Sequence, residues 1–355
     1  PDPGFEYKED LISGLNCAAE GGYTTVAILP DTFPVVHNKT GIEYWLNNSR
    51  KNIVTLLPLG SVTMKCEGKD PSEMLDMHKA GAVGFTDAYH PIQEAGILMR
   101  SLQYSLSIGV PVYNIPFDES MCPEAMVHEG DMSTNLGLRG IPSMAEEIML
   151  IRDINLAEYT GAHIHVPVIS TARSVQLIAD AKQKGINVTC GVSAFNLLYD
   201  DSMISEFDSN WKLMPPLRTK EDSAALRLGV MNGTIDVITS GHRPQHTEGK
   251  QLEFEYAEYG MINLQTCFSI CLKAFGNVDV QWINAISTNG YRMFSIDSPV
   301  IEVGSKANFS IFNLKEWSFN TSDNQSKSNN SALLNSDQKG KAIAIINNNQ
   351  FKKLN

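Results

Sequence analysis

The stretch HIHVPVISTARSVQLIADAKQKGINVTCGV, residues 163–192, decides the fold class. Its outer parts, HIHVPVI (163–169) and INVTCGV (186–192), are short, apolar and rich in β-branched residues, the composition of strands. Between them TARSVQLIADAKQKG (171–185) spaces its apolar residues at helical intervals and ends on glycine. Strand, helix and strand in that order make two parallel strands, because the helix carries the chain back along the sheet.

The unit recurs along the chain. YTTVAIL (23–29), IVTLLPLG (53–60), AVGFTD (82–87), GVPVYNI (109–115) and IDVITS (235–240) also read as strands. EDLISGLNCAAEGG, PSEMLDMHKAG, EAGILMRSLQYSLSIG and MAEEIMLIRDINLAEYTG read as amphipathic helices that stop at glycine. Strands apolar on both faces imply a parallel sheet covered by helices. With seven such strands the expectation is a (β/α)8 barrel over residues 1–295 whose remaining strand is not visible. An open doubly wound sheet is the alternative, but no G-x-G-x-x-G turn follows any strand. After residue 296 the texture changes. SPVIEVGSKANFSIFNL and KAIAIINNNQF predict a small C-terminal β-sandwich part over 296–355, with the Asn/Ser-rich stretch 320–336 as a loop.

Composition removes several function classes. The chain has 355 residues, 43% of them hydrophobic, enough for a large core. A net charge of −12 without a basic cluster argues against nucleic acid. The longest apolar runs fall far short of a membrane span, and no N-terminal signal pattern is visible. Six cysteines scattered without C-x-x-C spacing fit reduced thiols and predict a cytoplasmic protein. Cys267 and Cys271, one helical turn apart, are expected on the buried face of a helix rather than on a metal.

DVITSGHRPQHTEGK (236–250) is the end of a strand running into a loop crowded with His242, Arg243, Gln245 and His246. An acid/base or metal site would place a carboxylate beside the histidine. Gly241 stands there instead.

Six blocks carry a family resemblance: PDPGFEYKED (1–10), HEGDMSTNLGLRGIPSMAEE (128–147), RDINLAEYTGA (152–162), ISTARSVQLIADAKQKGINVT (169–189), MPPLRTKED (214–222) and NGTIDVITSGHRP (232–244). In that order they resemble the dihydroorotases, in the amidohydrolase branch that includes allantoinases and hydantoinases. IEVGSKANFSIFN is similar to the strand that closes the family's small β-sandwich. The resemblance implies a barrel whose C-terminal mouth clamps hydroxide between two divalent metals, usually zinc, to hydrolyse a cyclic amide.

The positions implied by the resemblance are changed one after another. The H-x-H pair would precede Pro1 and falls outside this chain. The acid of a D-D-G turn is retained as Asp87, followed by Ala88 and Tyr89. A metal histidine is replaced by Val168, an adjacent histidine pair by Phe195 and Asn196, and the catalytic aspartate by Gly241. His163 and His165 have the opposite strand parity to Val168 and are read as packing or helix-facing residues. Around the substrate, Asp31 stands where an asparagine amide would meet a carboxylate, and Met214 where an asparagine would hydrogen-bond the ring. Ile115 and Phe117 replace a histidine and a glutamate, while Arg218 and His242 remain. The turn-forming Gly130, Gly137, Gly140, Pro142, Pro215 and Pro216, with Glu146, keep the family spacing.

Loss confined to chemistry points to a folded, non-catalytic homologue with no expected cofactor, holding at most one metal ion weakly. Such a protein would persist as a homodimer or as a partner of aspartate carbamoyltransferase or another pyrimidine-pathway enzyme. The competing class is a cyclic-amide hydrolase with a reduced metal site built around Asp87 and His242. A third is a small-molecule binder that uses the emptied mouth.

Overall fold

The computed structural model describes residues 2–354. Nine short strands precede the C-terminal sheet: β1 Thr25–Ile28, β2 Thr55–Gly60, β3 Gly84–Thr86, β4 Val112–Tyr113, β5 Val127–His128, β6 Gly140–Ile141, β7 Ile164–Val166, β8 Val188–Ser193 and β9 Val237–Thr239. Thirteen α-helices alternate with them or follow: α1 Leu11–Glu20, α2 Lys39–Ser49, α3 Met74–Ala80, α4 Ala95–Ile108, α5 Asp131–Leu136, α6 Ser143–Thr160, α7 Ala172–Gln183, α8 Ala194–Leu198, α9 Lys220–Met231, α10 Thr247–Lys250, α11 Cys267–Phe275, α12 Val280–Ala285 and α13 Thr288–Met293.

The seven strands expected from the sequence form one sheet in the order β1-β2-β3-β4-β7-β8-β9. Every pairing in it is parallel, for example Phe85 with Val112, His165 with Thr189 and Val192 with Ile238. The order follows the chain, so each helix returns to the start of the next strand and the sheet curls as a barrel does. An eighth strand is not among the described residues. The pair β5-β6 stands apart as a small parallel ladder in the long connection between β4 and β7.

The strand, helix and strand over residues 163–192 form as expected, as β7, α7 and β8. Thr171 caps α7 by accepting from the Ser174 amide at 3.0 Å, and the chain turns through Gly185 into β8. Helix α6 ends on Gly161 at φ +70°, a left-handed position that a side chain would oppose. The core between sheet and helices contains Trp45, Phe85, Met74, Met77, Leu98 and Leu102, all fully buried.

The C-terminal residues form a three-stranded antiparallel sheet of β10 Phe309–Phe319, β11 Ser336–Asn347 and β12 Gln350–Lys353. This is the small C-terminal β part expected from the sequence, a remnant of a sandwich in the form of one sheet. Phe312 of β10 stacks on Phe268 of α11 at 4.1 Å between ring centroids, so α11 packs on this sheet. Residues 298–308 are irregular, and β10 begins only at Phe309.

The Asn/Ser-rich stretch between β10 and β11 has no regular structure, yet Ser326, Ser328, Asn330 and Ser331 are buried. It works as a strap. Ser328 donates to the Lys8 carbonyl at 2.6 Å, and the Asn330 amide donates to the carbonyls of Arg243 and Gly260 at 3.0 and 3.1 Å. Asn330 Oδ1 in turn accepts from the Gln245 amide at 3.0 Å. Among the described residues no helix is long and apolar enough to cross a membrane.

Candidate functional site

In a parallel sheet the residues just past each strand lie at one end, and in barrel enzymes that end carries the site. Asp87 follows β3, Val168 lies two residues past β7, Phe195 and Asn196 follow β8, and Gly241 follows β9. Topology therefore brings the residues singled out in the sequence to one end of the fold. Their side-chain bonds decide what they can do there.

Asp87 is buried and accepts three hydrogen bonds. One carboxylate oxygen accepts from the amides of Val62 and Thr63 at 2.8 and 2.9 Å, and the other from the Thr63 hydroxyl at 2.5 Å. Burial raises its pKa, and these three donors only partly offset that. The carboxylate holds the loop after β2.

Gly241 has φ +66°. A Cβ there would sit 2.7 Å from Ser193 Oγ and 3.4 Å from the Phe195 ring. Gly241 is half-buried, and a side chain there would have to displace the Ser193 hydroxyl. Asn196, next to Phe195, is buried and donates its side-chain amide to the Pro216 carbonyl at 2.9 Å, so it braces the turn before Arg218. Val168 is half-buried and offers no donor atom.

His163 and His165 both bond the Thr189 hydroxyl on β8, at 2.8 Å each. The His165 ring also packs edge-on against Tyr113 of β4 at 5.0 Å. Burial pushes the pKa of His163 down and that of His165 well down. Both rings are neutral packing groups held along the sheet.

His242 is fixed by the chain beyond β9. Its Nδ1 accepts from the amides of Asn263 and Leu264 at 3.0 and 3.3 Å, so a neutral ring carries its proton on Nε2. Among the described residues that buried Nε2 has no hydrogen-bond partner, and it lies 3.8 Å from Glu9 Oε2, close enough for electrostatic attraction. Glu9 also accepts from the hydroxyls of Ser13 and Ser326 and from the Lys327 amide. Burial alone would raise the Glu9 pKa, but His242 and the two serines outweigh it and hold it below the usual value. Sequence reasoning missed this hub. EYKEDLIS signals only a helix start, whereas the partners of Glu9 come from the loop after β9 and from the Asn/Ser strap.

Arg218 is a structural anchor. It is 2% exposed and donates to the Ile141 carbonyl at 2.7 Å, to Ser170 Oγ at 3.1 Å and to His128 Nδ1 at 3.1 Å. Glu146, which accepts from the Ser170 amide and from the hydroxyls of Ser170 and Ser174, helps to keep it charged. His128 pays the consequence of this neighbourhood: burial and then the Arg218 charge lower its pKa to about 4, against a smaller opposing effect of Asp222.

The pH dependence follows. Between the ordinary value near 6.5 and about 4, the unfolded chain takes up a proton at this position that the folded chain refuses. Stability should therefore fall as pH drops through that window and level off below it, by roughly 3 kcal/mol at most. The variant His128→Asn, which keeps an acceptor but cannot be protonated there, should lose this part of the slope in denaturant unfolding at pH 7 and pH 4. Parallel slopes in the two proteins would refute the assignment.

Met214 packs with Phe117, Met121 and Ala125 against Cys122, Ile141 and Ala145, an apolar cluster of its own beside the Arg218 anchor. Ile115 is half-buried. Asp31 is half-buried as well and lies near Tyr89 and Cys66, raising the pKa of each in addition to the larger effect of burial. The Arg243 guanidinium sits 4.0 Å over the Tyr89 ring. Cys267 and Cys271 are both buried on α11, as the sequence suggested.

These side chains do not fit a two-metal centre. Of the positions that the resemblance implies as ligands, only Asp87 keeps a carboxylate, and both of its oxygens accept from backbone or threonine donors. Among the described residues no three His, Cys, Asp or Glu side chains come together as a ligand set. The best-formed cavity, lined by His128, Ile204, Trp211 and Leu217 among others, has about 10 Å³ of space. That is room for about one water, against roughly 300 Å³ or more in a typical small-molecule site.

Comparison with known proteins agrees with the geometry of the fold. The family described as Dihydro-orotase-like matches residues 2–174, and the Amidohydrolase family matches residues 127–346. A dihydroorotase from Geobacter sp. (strain M21) is 35% identical over 350 residues, covering 97% of this chain and 82% of that protein. A dihydroorotase from Pelotomaculum thermopropionicum is 38% identical over 314 residues, with 87% and 74% covered. Among solved structures, the L-hydantoinase (dihydropyrimidinase) from Arthrobacter aurescens superposes with a TM-score of 0.82 at 20% identity, covering 96% of this chain and 79% of that one. The dihydropyrimidinase from Brevibacillus agri NCHU1002 gives 0.80 at 18% identity, with 97% and 80% covered. Sequence and fold lead to one conclusion: the chain belongs to the dihydroorotase family of the amidohydrolase superfamily.

Proposed function

We propose that this chain is a dihydroorotase-like protein of pyrimidine biosynthesis that does not catalyse ring hydrolysis and serves as a binding or assembly partner. One observation carries the reading. At the strand ends where the family's chemistry belongs, Val168, Phe195, Asn196 and Gly241 supply no free ligand or proton shuttle, and a Cβ at Gly241 would meet the side chains of Ser193 and Phe195. The surroundings agree with it. Asp31 is like-charged toward an anionic substrate, and Met214 is locked in an apolar cluster. The preserved groups, Arg218 and Glu146, are spent on holding β6 and the loop after β7. The partner fitting this role is a second copy of the chain, or aspartate carbamoyltransferase or another enzyme of the pathway.

The test is metal analysis and a dihydroorotate hydrolysis assay on one preparation of the full-length protein. The expected result is less than one tightly held metal ion per chain and turnover at background in both directions of the reaction. Two tightly held ions, or turnover abolished by a chelator and regained with zinc, would overturn the reading and establish a hydrolase with an unusual metal site.

A further inference from the structure

The turn that follows α10 presents rings to solvent. Tyr256 and Leu252 are 71 and 47% exposed, and each stands two residues from the buried Phe254. The Phe207 ring, 46% exposed, meets the Phe254 ring edge-on at 6.4 Å between centroids. The three exposed side chains amount to on the order of 300 Å² of apolar surface, the size at which patches on soluble proteins are often contact sites. Phe207 also sits at φ +55°, a left-handed position where a bulky residue is strained. A small residue would fold there at less cost.

Two buried lysines fix this surface from beneath. Lys212 Nζ donates to the carbonyls of Phe254 and Glu255 at 3.0 and 2.8 Å, and Lys250 Nζ to those of Ser209 and Glu258 at 2.5 and 2.7 Å. Around the rings stand Glu206, Glu253, Glu255 and Glu258, all exposed, and among the described residues none of them forms an ion pair. Exposed rings and unpaired carboxylates together suit a guanidinium, which stacks flat on an aromatic face and donates in its plane to carboxylates.

We infer that this surface, made by the turns 206–208 and 251–258, docks an arginine-rich segment of a partner protein. The inference names the chemistry of that partner and rests, for its purpose, on the reading of the chain as a binding protein. Charge selects the occupant. At a net charge of −12 a second copy, a nucleic acid or an acidic protein meets like charge here, and an apolar partner would cover four carboxylates without a counter-charge. The lysine bonds preform the face, so little order has to be gained on docking. The turn 251–258 continues the loop that leaves β9, which puts the docking face on the same loop as Gly241.

Fluorescence polarisation on the full chain with fluorescein-labelled nona-arginine tests this, with nona-lysine and nona-glutamate as companion probes. Nona-arginine is expected to bind at about 0.1 M salt, nona-lysine about fivefold more weakly because an ammonium does not stack as a guanidinium does, and nona-glutamate not at all. Phe207→Gly/Tyr256→Ser should weaken nona-arginine at least about tenfold with unchanged circular dichroism, since glycine suits the backbone at 207. Glu253→Gln/Glu255→Gln/Glu258→Gln should weaken it about tenfold as well and flatten the salt dependence. Glu43→Gln/Glu302→Gln/Glu316→Gln, which removes as many exposed acids from other elements, should stay within about twofold of the wild type. Equal binding of nona-arginine and nona-lysine, a ring variant that binds like the wild type, or equal losses from the two acid triplets would show only general attraction to an acidic chain and overturn the proposal. Hydrolytic turnover with this pattern intact would overturn the non-catalytic reading and uphold the docking face, whereas an inert chain that binds no arginine peptide would overturn the docking face alone.

Discussion

Replacing Arg218 by methionine is expected to destabilise the protein by about 3–5 kcal/mol, the range found when one member of a buried charged network is removed. The guanidinium ties the β5-β6 ladder, at His128 and Ile141, to Ser170 after β7. Methionine matches much of the volume and none of the donors. The Ile141 carbonyl and the His128 nitrogen would be left without their guanidinium partner, and the Glu146 carboxylate would lose its neighbouring cation. Arg218→Lys should recover only part of the loss, because an ammonium on a single stem cannot reach along the fork of a guanidinium. Urea unfolding of the three proteins gives the comparison. A loss below about 1 kcal/mol for Arg218→Met would mean that the network is not what holds this part of the fold.

Restoring the acid at position 241 is expected to do harm and to bring back no hydrolysis. The backbone at Gly241 is left-handed, which aspartate tolerates at a modest cost, but its Cβ would press on Ser193 Oγ at 2.7 Å and its carboxylate would enter beside the Phe195 ring. The left-handed backbone and the displaced Ser193 hydroxyl together should cost about 1–3 kcal/mol. The new carboxylate would find no imidazole at Val168 or Phe195, and Asp87 is held by Val62 and Thr63. General acid/base catalysis contributes about 10²- to 10⁴-fold, and only where an activated nucleophile is present to be deprotonated. Gly241→Asp should therefore show a lower thermal midpoint and background turnover with zinc supplied. Zinc-dependent turnover from this single change would show that the remaining machinery is intact.

All seven strands of the parallel sheet were legible in the sequence, because each is a short β-branched run apolar on both faces and bounded by glycine-ended helices. The helices α2 and α9 were not. KTGIEYWLNNS carries Gly41, Asn47 and Asn48, weak helix formers, and it is held by the burial of Ile42 and Trp45 and by the Asn38 cap. The absence of ligating side chains at positions 168, 195 and 241 is a property of composition that no tertiary contact can alter. What the surviving groups do is a different matter, since a carboxylate or a guanidinium is available only if its lone pairs or protons are not already taken. Asp87 and Arg218 were recognisable as retained family residues, but that both are consumed by local bonds depends on atoms from Val62, Thr63, Ile141 and His128, distant in the chain. The same holds for Glu9, His242 and the strap at Ser326. Periodicity and spacing report faces and turns, which are local, whereas the pairing of buried polar groups is settled only when the whole chain has closed around them.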